Sequence, residues 1–154
     1  MRTLIPGLLT SFALLPTLAC GDILLEKTTG TGMVPESYAL RTRCTLDSNG
    51  QLELHYQLSD LTSHRVQQMQ LSVLAINRVI SEAAAGKVSD EAFPVDGPSS
   101  SYVAYRKNKT TGATQQIVLF SEDGGSGNKS VNDAPAALKL KNFLDLNCDG
   151  ALQY

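Results

Sequence analysis

Near its C-terminus the chain reads DLNCDG, residues 145–150. Side-chain oxygens at Asp145, Asn147 and Asp149, followed by a glycine, open a calcium loop, because alternate positions of a tight loop aim their donors at one centre. Such a loop needs a bidentate Glu about twelve positions from its start. The residues after Gly150, ALQY, supply none, so calcium is the weaker reading. Cys148, in the middle of the run, carries the stronger one, a disulfide to Cys44 that anchors the last helix. On that reading the acids around Cys148 are solvated.

The cysteine count supports the pairing. Of three cysteines, Cys20 falls in a segment with the marks of an export signal. MRTLIPGLLTSFALLPTLACGD has one positive residue, Arg2, then an apolar run, the helix-breaking Pro16, and small residues around Ala19 and Gly21. TLAC, residues 17–20, resembles a bacterial lipobox, in which the cysteine is lipidated and becomes the first residue; Thr17 stands where that motif usually holds Leu. Ala19-Cys20-Gly21 also offers an ordinary Ala-x-Gly cleavage before Asp22. Both routes dispose of Cys20 and leave Cys44 with Cys148. The expected organisation is an export signal over residues 1–20 and a single domain over 21–154. It sits in the periplasm or on the outer surface as a lipoprotein, or is secreted as a soluble protein.

Catalytic constellations are missing from the pattern. No Gly-x-Ser-x-Gly elbow occurs, and paired cysteines leave no free thiol as a nucleophile. The two histidines, His55 on the polar side of a strand and His64 at a helix start, read as surface residues. Neither spacing suggests a zinc site, which wants clustered Cys and His ligands. GGSGNKS, residues 124–130, has the strand-to-helix context of a phosphate loop, but Asn128 and Asp123 stand where that pattern needs glycine. No cofactor is expected.

Composition and charge narrow the partners. With 42% hydrophobic and 18% charged residues, the 154-residue chain fits one globular domain. Without residues 1–19, which hold Arg2 and no acid, 12 basic residues face 15 acidic ones, a net charge of −3. That disfavours nucleic acid, and any membrane contact would run through the lipid anchor. The one basic cluster, Arg106, Lys107 and Lys109, reads as a solvated hairpin tip.

The elements that must position these residues follow from periodicity. Residues 23–27 read as a short strand and 28–32 as a flexible Thr/Gly stretch. Residues 38–46 and 52–58 alternate apolar and polar side chains around Asp47-Ser48-Asn49-Gly50, a hairpin that places Cys44 on its apolar face. Val66, Met69, Val73, Ile76 and Ile80 then step by three and four, predicting a helix capped by Thr62 or Ser63 and ended by Gly86. Residues 87–101 read as a crossing loop, 102–121 as a second hairpin and 122–132 as a Gly-rich loop. A final helix starts at Pro135 with Asn132 or Asp133 as cap, and Gly150 closes it. The expected fold class is α+β, an antiparallel sheet of about five strands with two helices packed on one face, in the order β-ββ-α-ββ-α.

EKTTGTGMVPESYALR after the first strand, Phe93-Pro94 after the long helix, the strand SSYVAY, and LFSEDGG leading into DAPAALKL together resemble the emfourin or protealysin-inhibitor type of small bacterial protein. The resemblance implies a scaffold of antiparallel strands and two helices, and a protease as partner. The expected function is a non-catalytic exported binding module for another protein. Its binding loops are Thr29, Gly30, Thr31, Gly32 and Met33, and Gly124, Gly125, Ser126 and Gly127, with 87–101 beside them. A structural envelope lipoprotein and an enzyme of unrecognised type are the alternatives.

Overall fold

The computed structural model describes residues 21–149 apart from positions 33, 93 and 109. Cys20, Met33 and Gly150, each given a role above, lie outside the described residues. The first strand, β1 (Ile23–Gly30), becomes the middle of the sheet. On one side it pairs with β2 (Leu40–Asp47), which continues through β3 (Gln51–Leu58) to β4 (Leu61–Gln68). After α1 (Val73–Ala83) and β5 (Val88–Ala92), strand β6 (Ser99–Lys107) pairs with the other side of β1, followed by β7 (Thr114–Asp123) and β8 (Asn128–Asn132). The result is one eight-stranded antiparallel sheet in the order β4-β3-β2-β1-β6-β7-β8-β5. Helix α2 (Pro135–Leu144) follows, and a wider π-type turn, Asp145–Asp149, extends it.

This corrects the expectation of about five strands with two helices on one face. Three segments account for the difference. Residues 61–68 do not begin a helix: the chain reverses at Ser59-Asp60, with Ser59 in the left-handed region (φ 51°), and Leu58 pairs directly with Leu61. All eight residues of β4 are exposed, so no apolar stripe marks the strand, and Val66 and Met69 match a helical period only by coincidence. The helix starts at Val73, where the Ser72 hydroxyl accepts from Ala75 N at 3.4 Å. Residues 88–92 and 128–132, expected as loops, pair with each other and extend the sheet to a second edge. Backbone ladders need no apolar side chains, and an edge strand is often polar. Residues 28–30, expected to be flexible, continue β1.

The hairpins themselves follow local chemistry. Gly50 (φ 77°) closes the β2–β3 turn, and Asp47 Oδ1 accepts from Asn49 N and Gln51 N. The core gathers Leu25, Leu46, Leu54, Ile80, Leu140 and Leu144 between the sheet and both helices, which also touch each other. Asn132 is buried and joins three elements: its Nδ2 donates to Ala83 O and Val118 O, while its Oδ1 accepts from Ala134 N. The N-cap of α2 is Ala134, in place of the expected Asn132 or Asp133, with Pro135 in the first turn. Cys44 and Cys148 form a disulfide across a sequence separation of 104, with Cα atoms 6.0 Å apart.

Candidate functional site

Strand register sorts the side chains onto two faces. Lys27 stands beside Cys44, and Cys44 beside Leu54, on the face that meets the helices. One residue on, Thr28, Arg43, His55 and His64 stand in a cross-strand row on the opposite face. A groove of about 790 Å³ makes that open face concave from β4 to β7. Hydroxyl-bearing residues are frequent in its lining, among them Thr28, Thr62, Ser99, Ser101 and Ser121. Arg43 is held across the strands by Glu26 at 2.8 Å, which raises its guanidinium's affinity for the proton. Burial, with Glu26 nearby, pushes the Tyr105 phenol up.

Gly30, Ser99 and Asp123 line one end of the groove, at the last or first positions of β1, β6 and β7. Beyond them the three segments expected to bind converge. A Cβ at Gly32 or at Gly124 would run into the backbone of Gly97, so only glycine permits the approach. Asp96 N donates to Gly124 O at 2.9 Å, and Gly124 N donates to Ser99 Oγ at 3.2 Å. Thr29, Gly30, Thr31, Gly32, Gly124, Gly125, Ser126 and Gly127 thus lie about one meeting point, with Thr29 and Gly30 in a strand rather than a loop. The Gly-rich segment is the turn of the β7–β8 hairpin: Asp123 Oδ1 accepts from Gly125 N, and its Oδ2 from Ser126 Oγ. Those donors, Ser126 first, lower the Asp123 carboxyl from its ordinary value. No helix follows the turn, as a phosphate loop would require.

His55 and His64, read above as separate surface residues, meet across β3 and β4. Their rings stack with centroids 4.3 Å apart. Glu53 joins them from two residues before His55, its Oε1 2.6 Å from His64 Nε2 and 3.2 Å from His55 Nε2. Sequence reasoning missed this cluster because it placed His64 on a helix, away from any strand partner. The turn-forming Ser59-Asp60 was the available signal: a two-residue reversal there sets His64 opposite His55.

The acids of DLNCDG are also not where they were expected. Lys27, 3% exposed, donates to Asp145 Oδ1 at 2.7 Å and to Asp149 Oδ2 at 2.6 Å. Tyr102 Oη and Lys141 Nζ also donate to Asp145. Asn147 turns away, its Nδ2 donating to Phe143 O. Asp145 and Asp149 converge on a lysine of β1 while staying partly open to solvent, and Asn147 does not join them. Burial alone would lower Lys27, but the bonds to Asp145 and Asp149 outweigh it and leave it raised. Burial likewise opposes ionisation of Asp145, yet Lys141, Lys27 and Tyr102 hold it below its ordinary value. Burial, then the bond to Asp145, pushes Tyr102 up to about 12. These contacts hold the turn that follows α2 against β1 and β6.

Of the basic tip, Lys107 is paired with Asp22 at 2.9 Å and Arg106 donates to Gln115 at 2.9 Å, while Lys109 is outside the described residues. No helix among the described residues is long and apolar enough to cross a membrane. The chain matches no protein-family model and no curated protein, so its function must be read from the groove and the loops at its end.

Proposed function

We propose that the protein is a non-catalytic binding module, exported to the cell envelope or secreted, that engages another protein through the loop cluster and the adjoining groove. The observation that carries this reading is the meeting of three sequence-distant loops at the Gly32, Gly97 and Gly124 contact, at one end of the concave face. A rigid sheet that presents several converging loops is a common recognition architecture. The Cys44–Cys148 disulfide supports an oxidising compartment. The resemblance to emfourin-type inhibitors makes a thermolysin-type metalloprotease the first partner to try.

Photo-crosslinkers placed singly at Ser126, Val95 and Thr31, with Leu138 on the exposed side of α2 as control, test the docking surface. The loop positions should capture one common partner and Leu138 none. Equal capture at all four sites, or none at any, would remove the reading. Inhibition of a thermolysin-type protease by the full chain tests the narrower identity, and its absence there would remove the inhibitor assignment alone.

A second reading, a tethered envelope lipoprotein, is favoured by TLAC. Mass measurement of the native N-terminus decides it: a diacylglyceryl-modified Cys20 supports the tether, and an unmodified start at Asp22 eliminates it.

A further inference from the structure

We infer that Glu53, His55 and His64 form a binding site for a divalent transition-metal ion of the zinc or copper class. Among the described residues no other three His, Cys, Asp or Glu groups stand so close, with one ligand atom from each within 4.8 Å of the others. Ligand atoms around a zinc ion bonded at ~2.0–2.1 Å stand about 3 Å apart. The two histidine nitrogens already lie 2.6 and 3.2 Å from the same Glu53 oxygen. The three donors are thus within the span of a single ion once the stacked rings turn their nitrogens toward it. The two imidazoles are borderline donors, and as the majority of the set they select zinc, copper or nickel over calcium or magnesium.

The scaffold is suited to hold them. Glu53 and His55 are two apart on β3, on one face, and His64 is the direct partner of His55 on β4. Both histidines line the groove, so the coordination positions left open face it and can take water or a donor from a bound molecule. The paired strands form the geometry before any metal arrives, and this inference does not depend on which partner occupies the groove.

Ligation uses the nitrogen lone pairs of both imidazoles, for which protons compete, so affinity falls as pH drops. The experiment is titration of the untagged, oxidised full chain with Zn²⁺ and with Cu²⁺ by calorimetry at pH 7.5 and 5.5. One ion per chain is expected at pH 7.5, with weaker binding at pH 5.5. Glu53→Gln, His55→Ala and His64→Ala should each lose more than the ~10–100-fold that removal of an outer-shell partner costs. Circular dichroism checks that each variant folds. In the unaltered chain, sub-stoichiometric Cu²⁺ should broaden the ring proton resonances of His55 and His64, a readout that needs no variant. Absence of binding, binding that survives His64→Ala in a folded variant, or Cu²⁺ broadening elsewhere would overturn the assignment.

Discussion

Lys27 and Cys44 are direct cross-strand partners, and each holds the same five-residue turn at the chain end, Lys27 by ion pairs to Asp145 and Asp149, Cys44 by a disulfide to Cys148. A covalent and an ionic fastener thus sit side by side on the centre of the sheet. The last helix is pinned to the first strand, and two distant parts of the chain become one folding unit.

The disulfide should be the larger contribution. In the chain-entropy model a bridge closing a loop of this length stabilises by about 4–5 kcal/mol. Urea unfolding of the Cys44→Ala/Cys148→Ala double variant should show a loss of that order. A loss under about 1 kcal/mol would mean that the ion pairs alone keep the segment docked.

The ionic fastener should be asymmetric. Lys27 is buried, while Asp145 and Asp149 are partly exposed, with side chains 32% and 56% accessible. Removing both acids by Asp145→Ala/Asp149→Ala strands a buried cation and should cost about 3–5 kcal/mol. Lys27→Met leaves carboxylates that water can reach, with Lys141 still on Asp145, and should cost only about 1 kcal/mol. Equal losses in denaturation midpoint would contradict the burial argument.

The same cluster sets the pH limits of stability. Asp145 titrates below its ordinary 3.8 in the folded state, so its contribution is present above that value and lost as pH falls through the lower folded value. Tyr102 keeps its proton to about 12 when folded, against 10.0 unfolded, and Lys27 is raised as well. Groups raised in this way contribute fully below their unfolded values, so stability should decline between pH 10 and 12. Melting temperature measured across that range should fall, and Tyr102→Phe should flatten the slope. An unchanged slope in that variant would assign the alkaline loss to other groups.

Glycine is required where the loops meet. Gly124→Ala places a methyl against the Gly97 backbone, and neither side has a flexible side chain to move aside. A cost of about 1–3 kcal/mol and loss of crosslinking from Thr31 are expected. Gly30→Ala, with open space around it, should leave stability unchanged.

How much of this was legible in residues alone depended on range. The β2–β3 hairpin was readable because period-two alternation and an Asp-Ser-Asn-Gly turn are both local. The Cys44–Cys148 bond was readable from counting. Strands β4 and β5 were not, since both are exposed edges whose side chains carry no hydrophobic period. Misreading β4 as helix then concealed the His55–His64 pair, because that contact exists only through strand register. Lys27 gave no sign of its partners, which stand 118 and 122 residues away. Local periodicity, turn chemistry and cysteine parity were written in the amino-acid order. Edge pairing, the loop junction at Gly97 and the salt-bridged chain end came from backbone hydrogen bonding and long-range packing, which hold no fixed spacing in the chain.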